Sequence, residues 1–221
     1  MQTVAILGAA GRNGDAVARA FLKAGWRVKG VARGAKVRTL APGIEPVEAD
    51  AYDRAALTSA CAGADVIVHT LNPAYNDWSN TVLPLAENVL AAAEAAGATV
   101  MIPGNVYMFG EQTPPPWGAG TPHAARNPMG RIRIEMEAAF ASAGLRTIVL
   151  RAGDFIDTQA SGNWFDLVLT KRLAKGVFSY PGDPAIPHAW AYLPDMARAG
   201  GQLAGMRADL PAFADIPFPG Y

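Results

Sequence analysis

The chain has 221 residues and a mass of 23.1 kDa, which suits one domain, or one domain with a small appendage, around a sizeable core. Nineteen Lys and Arg residues balance nineteen Asp and Glu residues, so no basic excess indicates a nucleic acid or an anionic membrane as partner. The hydrophobic fraction of 51% and the charged fraction of 17% exclude intrinsic disorder. The single cysteine, Cys61, excludes a disulfide framework and a thiol-based zinc site, and no metal site is expected.

The first hundred residues alternate short apolar runs with alanine-rich helical stretches. Strands are predicted over 3–7, 26–32, 44–48, 64–70 and 99–102, and helices over 13–24, 53–60 and 78–96. This alternation predicts right-handed crossovers between parallel strands, with helices on both faces of the sheet. The fold class is therefore α/β, a doubly wound parallel (Rossmann) sheet, whose functional residues follow the carboxyl ends of the strands. Because a strand begins at Thr3 and no apolar run could span a bilayer, we expect a cytoplasmic protein without a secretory leader.

The pattern changes after residue 110. The prolines at 114–116 predict a loop, because proline fixes φ and lacks an N–H donor. A helix is then predicted over 129–143, a strand over 146–151, and further helices over 164–174 and 195–203, whereas 210–221 shows no periodicity. We divide the chain into a dinucleotide-binding domain, 1–150, and a smaller substrate-side region, 151–221, interleaved with it.

A glycine-rich turn separates the first predicted strand from the first predicted helix. Gly8, Gly11 and Gly14 have the spacing G-x-x-G-x-x-G, which allows a sharp turn and a close approach of the backbone to a pyrophosphate. The helix that follows offers free N–H groups and a positive dipole end to the phosphates. A turn that serves packing alone is the alternative. The predicted cofactor-binding residues of this turn are Gly8, Ala10, Gly11, Arg12, Asn13 and Gly14.

Basic residues after the second predicted strand favour NADP over NAD. Arg33, Lys36 and Arg38 lie there without a neighbouring carboxylate, and a guanidinium pairs bidentately with a 2′-phosphate. Arg12 could close on the same phosphate from the glycine turn. An ordinary solvated basic face is the alternative interpretation.

Two further strand ends are predicted to contact the cofactor. Asp50 could accept a hydrogen bond from the adenine amino group, since Asp53 is better placed to cap the next helix. Thr70, Leu71 and Asn72 should pass beneath the nicotinamide, whereas His69, inside the strand, is interpreted as a packed core histidine.

Four segments together resemble one enzyme superfamily. These are the glycine turn at 8–14, PGNVYMFG at 103–110, TIVLRAGDF at 147–155 and AYLPDMA at 191–197. Nearly the whole chain resembles the extended or atypical short-chain dehydrogenase/reductase superfamily, in its NAD(P)-dependent epimerase/dehydratase-like group. The resemblance implies a small-molecule carbonyl or hydroxyl substrate and a monomer or homodimer, in which the helices at 78–96 and 129–143 would pair. It also implies a further strand and helix after residue 221, so the chain is either a short member or truncated at its C-terminus.

The chain departs from this family at the catalytic motif Tyr-x-x-x-Lys. Met129 and Arg133 stand at the two motif positions, and Gly104 or Asn105 replaces the serine before them. A methionine cannot transfer a proton, whereas Arg133 can still donate hydrogen bonds to ribose hydroxyls.

Tyr107 is the best substitute for the missing proton donor, and Asn105 could bind a substrate carbonyl. Packing of Tyr107 beside Phe109 is the alternative. Asp154 is interpreted as a turn residue and His188 as a surface residue. Two functions are compatible with this sequence: an NADP-dependent oxidoreductase or epimerase, and a catalytically silent NADP(H)-binding redox sensor or regulator.

Overall fold

Residues 1–158 and 160–220 are described by a computed structural model of the chain. The nine strands are β1 (Thr3–Leu7), β2 (Arg27–Ala32), β3 (Glu45–Glu48), β4 (Val66–His69), β5 (Thr99–Gly104), β6 (Thr147–Arg151), β7 (Asp154–Ile156), β8 (Trp190–Tyr192) and β9 (Phe213–Pro217). The five α-helices are α1 (Arg12–Lys23), α2 (Arg54–Cys61), α3 (Trp78–Ala96), α4 (Pro128–Ser142) and α5 (Leu193–Gly205). Within the described residues, no helix has the length and apolar character needed to cross a bilayer.

Seven strands form one parallel sheet in the order β3-β2-β1-β4-β5-β6-β9. The chain runs outward from β1 to β3, returns to β4 beside β1, and then continues to the other edge. This reversal between β1 and β4 is the place where doubly wound sheets bind their ligands. The predicted fold class is therefore confirmed.

Both faces of the sheet are covered, because its central strands are apolar on both sides. One core packs α1 and α5 against the sheet, with Val17, Phe21 and Ala197 among its buried side chains. The other core packs α2, α3 and α4 on the opposite face, with Val89 and Phe140 buried there.

The structure corrects three predicted elements. Residues 210–221 were expected to lack regular structure, but they contain β9, which pairs with β6 at the edge of the sheet, where Pro217 is tolerated; Tyr221 lies outside the described residues. The strand at 99–102 continues through Pro103 and Gly104, where a side chain at residue 104 would press against Val149. The helix predicted over 164–174 is wrong: a π turn over Phe165–Leu169 and a 3-10 turn over Leu173–Lys175 replace it.

Candidate functional site

The glycine turn brings two backbone segments into close contact at the end of β1. Gly8 has a φ of +81°, which favours glycine, and its N–H donates to the carbonyl oxygen of Val31 at 2.9 Å. A Cβ atom at Gly14 would lie 2.7 Å from the carbonyl carbon of Gly8, so α1 can begin this close to β1 only with glycine there. The turn therefore packs its backbone more closely than any larger residue at Gly14 would allow.

The first turn of α1 directly follows the glycine turn. Gly11 precedes the helix with extended backbone and supplies no side-chain hydrogen bond to the first N–H groups. Arg12 donates from Nη1 to the carbonyl oxygen of Ser161 at 3.3 Å, and its buried Nε has no hydrogen-bond partner among the described residues. Free backbone donors and an unpaired guanidinium nitrogen fit the diphosphate of a dinucleotide.

The carboxyl ends of β2 and β3 carry exposed charges. Arg33 and Asp50 approach each other at 3.6 Å, and their side chains are 63% and 46% exposed. Lys36 and Arg38 are also exposed, on the 3-10 turn that follows Arg33. Asp53, as expected, caps α2 by accepting from the N–H of Ala56 at 3.0 Å. The structure thus brings together Arg33 and Asp50, which were predicted to contact different parts of the cofactor.

The residues after β4 pack against the glycine turn. Thr70 donates from Oγ1 to the carbonyl oxygen of Leu7 at 2.7 Å, and Leu71 contacts the position that a Cβ atom of Gly8 would take. Asn72 is exposed. His69 is a buried core residue, as predicted, and its burial, aided by the charge of Arg133, lowers its pKa to about 3.

Three aromatic residues meet beyond the ends of β4 and β5. The hydroxyl groups of Tyr75 and Tyr107 are 3.3 Å apart, and both rings lie against Trp78, with centroid distances of 5.0 and 6.1 Å. Burial, and then the hydrogen bond to Tyr75, raise the pKa of Tyr107. Tyr107 therefore keeps its proton and can act as a hydrogen-bond donor. The side-chain oxygen Oδ1 of Asn105 accepts from the backbone N–H of Tyr107 at 3.1 Å, and this hydrogen bond holds the turn between the two residues.

Arg133, on α4, is a buried residue. It donates to the carbonyl oxygen of Pro103 at 3.1 Å and approaches Glu137 at 3.7 Å. Burial lowers its pKa, and its buried Nε has no partner among the described residues. The guanidinium is thus anchored at the end of β5, one turn before Glu137 on α4.

A buried ionic network missed by the sequence analysis supports this edge. Arg151, the last residue of β6, donates to Glu137 at 2.8 Å, to Asp215 at 2.9 and 3.0 Å, and to the carbonyl oxygen of Asn105 at 2.7 Å. Glu137 is only 2% exposed. An arginine that ends an otherwise apolar strand was the available signal, because a buried charge needs a partner.

A second group missed by the sequence analysis lies in the pair of strands β7 and β8 and the segment before β8. Asp154 and His188, assigned there to a turn and to the surface, are joined by a 2.9 Å contact between Oδ2 and Nε2. His188 also stacks on Trp190, with a centroid distance of 4.3 Å. The spacing His-x-Trp, which puts two rings on one face of a strand, was the only local signal.

Comparison with known protein families identifies the chain. A family model described as NAD(P)H-binding matches residues 8–172, which begin at the first glycine of the turn. The chain belongs to this NAD(P)H-binding family. A search of curated proteins by sequence gives no match.

Several solved structures have the same fold as this protein. UDP-glucose 4-epimerase from Brucella ovis, solved with NAD, is 18% identical, with a TM-score of 0.81 over 99% of this chain and 78% of that one. The enzyme WbmH from Bordetella bronchiseptica, solved with NAD⁺, is 20% identical, with a TM-score of 0.76 over 99% and 75% of the two chains. The dTDP-glucose 4,6-dehydratase DesIV from Streptomyces venezuelae, solved with NAD, is 17% identical, with a TM-score of 0.77 over 99% and 76%. The family model confirms the predicted NAD(P)-binding family, and the solved structures confirm the fold that the resemblance implies.

Proposed function

We propose that the protein is an NADP-dependent oxidoreductase or epimerase of the short-chain dehydrogenase type that acts on a small carbonyl or hydroxyl substrate. The observation that carries this proposal is the glycine turn, in which Gly14 packs directly on the backbone of Gly8 and the first turn of α1 has no side-chain cap. When bound, the nicotinamide cofactor exchanges a hydride with a substrate carbon. The predicted division at residue 150 assigns the cofactor to the first region and substrate contacts mainly to the second.

The preference for NADP rests on the basic residues after β2. Arg33 is mostly exposed, and its contact with Asp50, at 3.6 Å between two solvated side chains, is weak enough for a phosphate to replace. Lys36 would add a second positive charge, while Asp50 would accept from adenine once Arg33 turns to the phosphate. Thr70, Leu71 and Asn72 would line the nicotinamide side.

The substrate oxygen is proposed to lie at Tyr107. Tyr107 is 36% exposed, and the raised pKa of its hydroxyl keeps it a donor at neutral pH. Asn105 would hold the turn that presents Tyr107, and its amide nitrogen could donate to a substrate carbonyl. Arg133 would fix the end of β5 below the nicotinamide ribose.

The test of this proposal measures cofactor affinity and turnover separately. NADPH and NADH binding are titrated by fluorescence for the wild type and for Arg33→Asp. Arg19→Asp serves as the control, because it reverses the charge of another exposed arginine, on α1. We expect Arg33→Asp to weaken NADPH binding about tenfold and NADH binding little. NADPH oxidation with aldehydes, ketones and quinones should fall about 100-fold in Tyr107→Phe, as when one donor to a developing oxyanion is removed. Equal NADPH affinity in Arg33→Asp would refute the NADP preference.

A catalytically silent NADP(H)-binding sensor is the second candidate. The observation that favours it is the Tyr107–Tyr75 hydrogen bond, which already engages the proposed donor, together with the raised pKa of Tyr107. A sensor would bind NADPH and NADP⁺ with clearly different affinities and consume no NADPH with any carbonyl. Reproducible consumption that is lost in Tyr107→Phe would exclude it.

A further inference from the structure

Two short strands outside the main sheet bring an acid and a histidine together. In the β7–β8 pair, Asp154 lies opposite Trp190, and His188 precedes Trp190 by two residues. His188 therefore lies near Asp154, and the two side chains meet at 2.9 Å. At its other ring nitrogen, His188 Nδ1 is 3.4 Å from the hydroxyl oxygen of Tyr180.

These contacts favour one tautomer of His188. A carboxylate accepts hydrogen bonds only, so Nε2 carries the proton and donates it to Asp154. The lone pair of Nδ1 is then free to accept from the hydroxyl group of Tyr180. The three side chains thus form a chain of tyrosine, imidazole and carboxylate in the order used by serine hydrolases, with a phenol in place of the serine.

Aromatic packing holds the imidazole in this position. The ring of His188 is stacked on Trp190 at 4.3 Å and on Trp164 at 5.6 Å, and Trp164 also stacks on Trp190 at 5.7 Å. Phe165 contacts the edge of this stack at Trp190. A ring fixed by two stacked neighbours keeps both of its nitrogens aimed at their partners, which proton transfer requires.

Asp154, one member of this group of three side chains, lies at the same carboxyl edge of the sheet as Tyr107. Asp154 follows β6 by three residues and so belongs to the carboxyl edge of the sheet. Its negative charge is close enough to Tyr107 to add to the rise in the pKa of that phenol. A second contact joins the substrate-side region to the cofactor side, from Arg12 in the glycine turn to Ser161.

We propose that Tyr180, His188 and Asp154 form a proton relay that replaces the missing Tyr-Lys pair, with Tyr180 as the group that touches the substrate oxygen. This inference rests on the proposed function. His188 and Asp154 act as positioning residues, because both nitrogens of His188 are engaged by the other two members. Tyr107 then binds the substrate oxygen as a second donor without exchanging its proton.

The relay balances the hydride step in both directions. In oxidation, the substrate hydroxyl proton moves to the oxygen of Tyr180 while the proton of Tyr180 moves to Nδ1 of His188. The nicotinamide, held at the glycine turn, would supply the redox chemistry by accepting a hydride with two electrons from the substrate carbon, so that the C–O bond would become a carbonyl. Asp154 stabilises the resulting imidazolium, which releases the extra proton to solvent. Reduction runs through the same transfers in reverse.

The experiment compares Tyr180→Phe, His188→Gln and Asp154→Asn with the wild type as full-length proteins. His123→Gln is the matched control, because His123 is also a loop histidine against an aromatic ring but is exposed and lies in a different segment. NADPH affinity is measured by fluorescence titration, and turnover with aldehydes, ketones and quinones by NADPH absorbance. We expect Tyr180→Phe and His188→Gln to lower kcat about 100-fold with KM and NADPH affinity within about twofold, the range of general acid–base catalysis.

A second measurement needs neither cofactor nor substrate. Nitrogen-15 spectra of the imidazole groups, in a chain with three histidines, report which nitrogen of His188 carries the proton. The relay requires the Nε2–H form and a shift of the Nδ1 signal in Tyr180→Phe. A proton on Nδ1, or full turnover in Tyr180→Phe, would overturn the relay while leaving the proposed function intact. No turnover by the wild type with any carbonyl would instead refute the proposed function, and the relay with it.

Discussion

The two halves of the carboxyl edge of this sheet are built differently. At the ends of β1 and β2, the backbone of the glycine turn forms the site, and the charged side chains of Arg33 and Asp50 remain in solvent. At the ends of β5 and β6, side chains form the site, and the charges of Arg151 and Glu137 are buried. Under the proposed function, the first half would offer donors that any dinucleotide can use, because backbone N–H groups do not depend on side-chain identity. The second half can vary its chemistry while the fold stays the same, because its contacts depend on which side chains the strands and helices carry.

The largest effect expected from this comparison concerns the buried charges. Arg151→Met leaves Glu137 and Asp215 without their main partner, and removing one member of a buried ion pair costs about 3–5 kcal/mol of unfolding free energy. The exposed pair of Arg27 and Glu45 supplies the control, since Arg27→Met should cost less than about 1 kcal/mol. Urea denaturation of both variants measures the difference. Similar losses in the two variants would mean that burial does not distinguish these ion pairs.

The next effect tests the backbone-built half. In Gly14→Ala the new Cβ atom meets the carbonyl group of Gly8, which is backbone and cannot turn aside. We expect NADPH affinity to fall at least about 100-fold, equivalent to about 2.7 kcal/mol. Gly201→Ala, inside α5 and with open space around its added Cβ, should leave affinity unchanged. Unaltered binding in Gly14→Ala would contradict a cofactor site at this turn.

The last effect appears in the pH dependence of stability and concerns His69, on β4 between the two halves. Because burial lowers the pKa of His69 from 6.5 to about 3, the unfolded chain binds a proton in this interval that the folded chain does not. Stability therefore falls as the pH drops below 6.5, by about 2–3 kcal/mol at pH 4.5. His69→Leu should flatten this part of the stability curve, whereas His123→Leu, at an exposed histidine, should not. An unchanged slope in His69→Leu would show that His69 is not the group responsible.

The local parts of the fold could be predicted because their signals are contiguous in sequence. Helix α3 was predicted at its observed bounds, since Gly97 ends it with a left-handed φ of +62°. The strand β9 was missed, because a short edge strand that ends at a proline has no periodicity of its own. The continuous helix predicted over 164–174 is broken into a π turn and a 3-10 turn, and the rings of Trp164 and Phe165 there pack on the distant residue Trp190.

The sequence by itself determined the Rossmann sheet, the glycine turn and the NAD(P)-binding family, since each depends on patterns within contiguous segments of the chain. The tertiary structure alone decided which side chains meet at the other half of the edge. Asp154 and His188 are 34 positions apart, and Arg151 and Asp215 are 64 apart. Contacts over such separations follow from the order of strands in the sheet and from the pairing of β7 with β8. No spacing along the chain encodes them, so the candidate chemistry of this protein became visible only in its folded structure.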